Sequence, residues 1–233
     1  QALQLFERVR ALAPQRPDTY EFEIGFRAQA GEILRDAEQP RITLLEPVPR
    51  LIDAAAANAV RLNESYVAWA LTELALATAA TGSSETTRIF DQARASLDRT
   101  LAVADERHEA IRMSLPWAAQ RARWAMTRQE APTPWLEFGE RLLNEALATE
   151  RGKGDNIIAC EGAALLAQKA RYGATTTRIA AAEEGLALFR ACAALSARYF
   201  QRFRKESDQL TLVLATLRNV GGAPVSSLPT SQR

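Results

Sequence analysis

The chain has 233 residues, of which 47% are apolar and 24% are charged, the balance of an ordinary globular protein. This composition excludes a mainly disordered chain, and no uncharged stretch is long and apolar enough to predict a membrane-spanning helix. The formal net charge of +1 argues against nucleic-acid or membrane-surface binding, because those functions depend on an excess of basic residues. Alanine supplies 45 residues, against 11 glycines and 10 prolines, and this ratio predicts an all-α protein.

Glycine, proline and short polar clusters divide the chain into helical segments with short connections. The first predicted helix is Ala2–Leu12, and residues 51–62 and 65–80 form a later pair. Further helices are predicted to start at Glu85, at Thr133-Pro134 and at Asn156, each beside a capping residue or a proline suited to a first turn. Apolar residues recur every three or four positions in these segments, without the two-residue alternation of strands.

Two regions leave the helix boundaries open. Pro116 either kinks the helix around it or starts a new helix capped by Ser114. Residues 176–219 contain no glycine or proline except Gly185, so they form one very long helix or two helices joined without a marked break. The segment after Gly221 is rich in glycine, proline and serine, and we expect residues 220–233 to be a flexible tail.

The sequence also repeats itself. Residues 96–126 can be laid over residues 142–172 at an offset of 46, which places Leu97 on Leu143 and Ile111 on Ile157. Each copy contains the second helix of one pair, a turn and the first helix of the next pair. Such self-similarity predicts stacked antiparallel helix pairs, an α-solenoid, in which each pair buries its apolar face against its neighbours.

The opening segment ALQLFERVRALAP resembles the second helix of a tetratricopeptide repeat. Ala2, Phe6, Val9 and Pro14 have the spacing of that family's small residue, aromatic residue, second small residue and closing proline. Weaker copies follow at Ala93, Leu97 and Thr100 and at Gly185, Phe189 and Cys192. The first helices depart from the family, since none carries its full Trp, Leu-Gly, Tyr pattern, and the offset of 46 exceeds the family's period of about 34.

This resemblance implies a diverged tetratricopeptide-like array over residues 1–219, of the type appended to bacterial signalling proteins such as Ser/Thr kinases and transcriptional regulators. The predicted function is a non-enzymatic scaffold, the sensing or recruiting part of a larger regulator, which binds a protein or peptide in a concave groove. The alternative is an oligomerisation module that forms a homodimer through residues 176–219, with Phe200 and Phe203 in the contact.

No arrangement of residues predicts catalysis, a metal site or a cofactor. The single histidine, His108, lies in a charged helix start without the second histidine of an HExxH motif. Gly152, Lys153 and Gly154 precede a helix but lack the frame of a phosphate-binding loop, so we interpret them as a turn. Cys160 and Cys192 lie in alanine-rich helices and are expected to act as small apolar residues, with one buried disulfide as the alternative.

Two stripes remain as candidate binding residues. Trp117, Arg121, Trp124 and Arg128 share one helix face and are the predicted protein-binding residues, while Ala118, Ala122 and Ala125 form a separate packing stripe. The other interpretation is that the tryptophans fill space between helix pairs while the arginines reach water.

The second stripe lies in ARYFQRFRK, residues 197–205. We expect its aromatic rings to form a buried seam with Leu195 and Leu210, and its basic residues Arg198, Arg202 and Lys205 to form a solvated face. Single-stranded nucleic acid stacked on the rings is the alternative, which the neutral net charge disfavours. The absence of a disulfide framework and the family resemblance together predict a cytoplasmic location, with an extracytoplasmic domain downstream of a membrane span as the alternative.

Overall fold

The structure, a computed structural model, describes residues 2–219. This part of the chain contains α-helices and short 3-10 helices and no β-strand, which confirms the all-α prediction. Its contacts form two compact units, Gln1–Met113 and Ser114–Arg233, within the single domain predicted over residues 1–219. The predicted tail, residues 220–233, lies outside the described residues.

The first unit is built around one nearly all-buried helix. This helix, α5, packs against α2, α4 and α6 and buries apolar and polar side chains on most of its circumference. A 3-10 turn at Ala104–Glu106 follows α6 and leads into α7, which contains the boundary between the units. The helices are α1 (Ala2–Leu12), α2 (Asp18–Asp36), α3 (Ile42–Leu45), α4 (Val48–Ala57), α5 (Glu64–Ala79), α6 (Glu85–Leu101) and α7 (Arg107–Thr127).

The second unit is also built around one buried helix, α10. That helix packs against α8, α11 and α13, and its residues from Ile158 to Gln168 are all buried. The helices are α8 (Thr133–Leu147), α9 (Glu150–Lys153), α10 (Asn156–Tyr172), α11 (Arg178–Leu195), α12 (Ala197–Phe200) and α13 (Arg204–Asn219).

The predicted helix starts are confirmed. Helix α6 begins at Glu85 and α8 begins at Thr133, with Pro134 in its first turn. Helix α10 begins at Asn156, where the carboxylate of Asp155 accepts hydrogen bonds from the backbone N–H groups of Ile157 (2.8 Å) and Ile158 (3.2 Å). A carboxylate at this position satisfies backbone donors that have no partner inside the helix.

The structure decides both helix boundaries that the sequence leaves open, at Pro116 and in residues 176–219. Pro116 lies inside α7, so it does not start a new helix. The segment 176–219 is interrupted at Ser196, whose backbone is extended and whose hydroxyl accepts the N–H of Tyr199 at 3.3 Å. Serine ends one helix and caps the next here, which explains a break without glycine or proline. Residues 58–62, predicted as the end of a helix, are not helical, because α4 stops at Ala57.

Close contacts between helices depend on glycines in the second unit. A Cβ atom at Gly139 of α8 would lie 2.6 Å from a Leu165 methyl group and 2.9 Å from the Cβ of Ala118. A Cβ atom at Gly185 of α11 would lie 2.9 Å from a methyl group of Leu210. Because real side-chain atoms do not approach this closely, alanine at either position would push the helices apart.

The positions that resemble second helices of tetratricopeptide repeats differ in burial. Ala93, Leu97 and Thr100 of α6 are buried, and so are their counterparts Gly185, Phe189 and Cys192 of α11. Helix α1 has the best sequence match, yet none of its residues is buried. The pattern therefore coincides with core positions in α6 and α11 and with a partly solvated helix in α1.

Three helices end with a non-glycine residue in the left-handed conformation. These residues are Glu38 (φ 55°), Ala59 (φ 56°) and Gln129 (φ 59°). In each case the next N–H bonds back to a carbonyl inside the helix, as Val60 does to Ala55 at 2.9 Å. Glycine is the usual residue in this motif because a Cβ atom is crowded there.

Replacing Ala59 with glycine should therefore stabilise the protein. We expect Ala59→Gly to raise the free energy of unfolding by about 0.5 to 1 kcal/mol, since it removes the crowding at an exposed turn. The matched control is Ala56→Gly, inside the same helix, which should lower the free energy by about 1 kcal/mol. Urea unfolding followed by circular dichroism measures both; equal signs for the two variants would contradict the assigned helix end.

Candidate protein-binding surface

The predicted Trp/Arg stripe is divided between core and surface. Trp117 is fully buried, and its ring makes edge contacts with Trp135 (5.7 Å between centroids) and Phe138 (5.8 Å). Arg121 is only 4% exposed, with its guanidinium 4.5 Å from the centre of the Trp135 ring and 3.4 Å from a carboxylate oxygen of Glu130. These two side chains join α7 to α8 inside the second unit.

The rest of the stripe reaches the surface. Trp124 is half-buried and Arg128 is exposed at the end of α7. The small-residue stripe of Ala118, Ala122 and Ala125 is buried, as the sequence predicts. Trp117 and Arg121 therefore lie in the packed interior, and only Trp124 and Arg128 have surface that a partner can reach.

Arg121 should accordingly be a stability residue. We expect Arg121→Ala to lower the free energy of unfolding by about 2 kcal/mol, because it removes a buried contact with Trp135 and leaves unfilled space. Arg128 belongs to the same stripe but is exposed, so Arg128→Ala should change the free energy of unfolding by less than about 0.5 kcal/mol. Chemical unfolding followed by tryptophan fluorescence measures both. A stably folded Arg121→Ala variant that loses a partner would instead support the predicted stripe.

The aromatic residues of ARYFQRFRK pack within the second unit. Phe203 is buried, and Phe189 contacts both Phe200 and Phe203 at 6.2 Å between ring centroids. Leu195, which the sequence places in this seam, is 45% exposed because the chain turns at Ser196. The contact expected for a homodimer thus falls mainly on side chains that already pack against each other. The basic residues Arg198, Arg202 and Lys205 are exposed, as predicted.

The described part of the chain contains neither a metal-binding cluster nor a free thiol. Its residues include no group of three or more His, Cys, Asp or Glu side chains able to hold a metal ion. His108 is half-buried at the start of α7, and both cysteines are joined in a disulfide, so no free thiol is left to pair with the histidine. A shallow depression of about 280 Å³ is lined by Asn156, Ser196, Arg198, Tyr199 and Arg202.

The largest group of exposed apolar side chains lies on α1 and α2. Leu12 is 86% exposed, Phe22 67% and Ile33 62%. More than half of the exposed large apolar side chains in residues 2–219 belong to these two helices. Solvent-exposed apolar patches of this kind mark interaction sites in soluble proteins. We call the group the α1–α2 apolar surface; its members are Leu5, Val9, Leu12, Phe22, Phe26 and Ile33.

The exposed residues of the two helices lie on the same side of the pair. The helices are antiparallel, since Phe6 contacts Phe26 at 5.7 Å between centroids, while Thr19 bonds to the carbonyl of Ala13 at 3.5 Å. In α1 the exposed residues Leu5 and Val9 come one position before the contact residues Phe6 and Arg10, a rotation of about 100°. In α2 the exposed Phe22 and Ile33 lie within about 40° of Phe26, which is itself the contact residue. The exposed residues of each helix therefore border the contact between α1 and α2, and together they form the α1–α2 apolar surface.

A buried ion-pair cluster holds α1 in this position. Glu23 of α2 is 1% exposed and pairs with Arg10 of α1. Arg27 donates to the same Glu23 carboxylate from Nε (2.9 Å) and Nη2 (2.7 Å), and its Nη1 donates to the carbonyl of Leu44. The Tyr20 hydroxyl donates to the carbonyl of Pro14 at 2.9 Å. These polar contacts and the Phe6–Phe26 contact fix the α1–α2 pair, and the more exposed apolar side chains, such as Leu12 and Phe22, remain accessible to a partner.

A second buried carboxylate, Glu73, belongs to α5, which packs against α2. Glu73 of α5 is 2% exposed and pairs with Arg35 of α2. Burial raises the pKa of Glu73 to about 7, although the neighbouring Arg35 and Arg41 act in the opposite direction and Glu32 adds to the rise. The carboxyl group of Glu73 therefore keeps its proton to a higher pH in the folded protein than in the unfolded chain.

This shift predicts a pH dependence. The folded pKa lies above the unfolded value, so the native state binds more protons, and stability decreases as pH rises from about 4.5 to 7. Relative to a Glu73→Gln variant, the wild-type protein should lose about 2 to 3 kcal/mol of unfolding free energy between pH 5 and pH 8. Glu46→Gln, an exposed carboxylate in the same unit, should show no such difference. Urea titrations at both pH values measure it, and parallel curves for wild type and Glu73→Gln would contradict a raised pKa.

None of the helices at residues 2–219 has both the length and the apolar character that crossing a bilayer requires. Comparison with protein-family models, with curated proteins and with solved structures finds no match to this chain. The functional argument therefore depends on the surface geometry alone.

Proposed function

We propose that this chain is a non-enzymatic helical-repeat scaffold of the tetratricopeptide-like type, and that the α1–α2 apolar surface binds an amphipathic helix of a partner protein. The observation that carries the proposal is the exposure of Leu12, Phe22 and Ile33 on one side of a polar-anchored helix pair. Covering a large apolar side chain contributes about 1.5 to 3 kcal/mol, so a few such side chains suffice for specific binding.

The repeat character is supported by burial at equivalent positions. The small residue, large residue and small residue of α6 (Ala93, Leu97, Thr100) and of α11 (Gly185, Phe189, Cys192) are all buried. The offset copies also agree, since Leu97 and Leu143 are both fully buried. In this proposal the chain is the recruiting part of a larger bacterial signalling regulator, the setting that the resemblance implies.

A helix is the occupant that we propose for the α1–α2 apolar surface. Two antiparallel helices with apolar stripes on one flank accept a third helix, whose side chains at i, i+4 and i+7 enter between them. The chain contains this packing itself, because α10 lies against α8, α11 and α13 and buries most of its residues. Helix α1, which packs on α2, has none of its residues buried.

The first experiment locates the contact in cells. A photo-cross-linking amino acid is placed at Phe22 in the full-length protein, and at Leu212 of α13 as the control, since both side chains are 67% exposed. The proposal predicts a covalent product with a different protein from position 22 and none from position 212. A product of twice the chain's own mass would indicate self-association, and equal labelling at both positions would contradict a specific surface.

The second experiment measures the contribution of the surface to affinity. With the cross-linked partner purified, we expect Phe22→Asp to raise the Kd by about 30-fold, because a covered aromatic ring contributes about 2 kcal/mol. Leu212→Asp should leave the Kd unchanged, and circular dichroism should show both variants folded, since both positions are exposed. Unchanged binding by Phe22→Asp would overturn the assignment of the partner site to α1 and α2.

A further inference from the structure

Cys160 and Cys192 form a disulfide that joins α10 to α11. Their Cα atoms are 5.4 Å apart, a separation typical of disulfides, and both residues are fully buried. They are the two cysteines of the chain, so within it only this pairing can form. The expectation that both act as unbonded small residues is therefore replaced by a cross-link in the core of the second unit.

The cross-link lies in the contact region of α11. Three residues before Cys192 on the same helix, Phe189 packs on Phe200 and Phe203. Gly185, one turn earlier, approaches Leu210 of α13 and Leu166 of α10. Joining α11 to α10 at Cys192 therefore holds in place the surface on which α12 and α13 pack.

We propose that this disulfide forms in the living cell and that the second unit works in an oxidising compartment. Cytosolic thiols are kept reduced by glutathione and thioredoxin systems, whereas structural disulfides persist in secreted, periplasmic or luminal proteins. The bond forms by exchange with the disulfide of a thiol–disulfide oxidoreductase. The two cysteine thiols lose two electrons and two protons, one S–S bond forms, and the S–S bond of the oxidant is reduced to two thiols.

Burial makes this a structural cross-link and not a labile switch. An attacking thiolate must reach a sulfur atom, and both cysteines have no exposed surface. The bond spans 32 residues of sequence, so it restricts the unfolded chain considerably. For a loop of this length the chain-entropy argument predicts a loss of about 10 °C in Tm on reduction, for a protein of this size.

Thiol trapping in the cells that produce the protein tests the proposal directly. The cells are lysed in acid, which protonates free thiols and stops exchange, and the precipitated protein is dissolved at neutral pH in denaturant with N-ethylmaleimide. The intact mass of the full-length protein is compared with that of a sample reduced in denaturant before alkylation. Protein without an adduct at Cys160 and Cys192 before reduction, and with two adducts after it, supports the cross-link. Two adducts before reduction would overturn it, because both thiols would be free in the native compartment.

Thermal unfolding tests whether the bond stabilises the second unit. Tryptophan fluorescence reports mainly on this unit, which holds Trp117, Trp124 and Trp135. Wild-type protein that is reduced in denaturant and refolded in dithiothreitol should have a Tm about 10 °C below that of the oxidised protein. The matched control is the Cys160→Ala/Cys192→Ala variant, whose Tm should not respond to dithiothreitol. An equal response of both proteins, or none from the wild type, would show that the bond does not contribute.

Discussion

The structure depends on close contact between helices at small residues. Gly139 and Gly185 lie where a methyl group would overlap Leu165 or Leu210, and fully buried alanines such as Ala118 and Ala163 line the neighbouring helices. Helices that approach this closely gain dispersion energy along their length, which compensates for a composition with few large aromatic residues. The high alanine content therefore serves two purposes, because the residue that favours helix formation also permits the short interhelical distances.

Buried charged groups fix how α1 packs on α2, and this packing determines which side of the helix pair stays exposed to solvent. In the first unit Glu23 binds Arg10 and Arg27, so the α1–α2 pair is held by ion pairs and hydrogen bonds as well as by Phe6 and Phe26. If Arg10 or Arg27 were absent, the charge of Glu23 would be buried with less compensation. The ion-pair cluster therefore favours this packing of α1 on α2 over others. Phe26 takes part in this pairing through Phe6, whereas the more exposed members of the surface, such as Leu12 and Phe22, can serve in binding.

The Trp/Arg stripe of α7 and the α1–α2 apolar surface show that a helix face with large apolar side chains can lie in the core or on the surface. Trp117 and Arg121 have the residue types of an interface hot spot, yet they pack on Trp135 and Phe138 of the next helix. The amphipathic period places both on one face of α7 but does not say which face meets α8. The α1–α2 apolar surface does have a signal in the sequence. Helix α1 carries more apolar residues than one contact stripe requires, with Leu5, Val9 and Leu12 directly preceding the positions that pack on α2.

The sequence by itself determined the all-α class, the first helix and the starts at Glu85, Thr133 and Asn156, because helix propensity, capping and periodicity are local properties. It did not determine the helix ends at Ala59 and Gln129, where packing stabilises a left-handed residue that is not glycine, or the break at Ser196. Only the tertiary structure brought Cys160 to Cys192 and separated buried Trp117 from exposed Phe22. Both outcomes depend on which faces of different helices pack together. That packing involves residues far apart in the sequence, so no local sequence pattern specifies it.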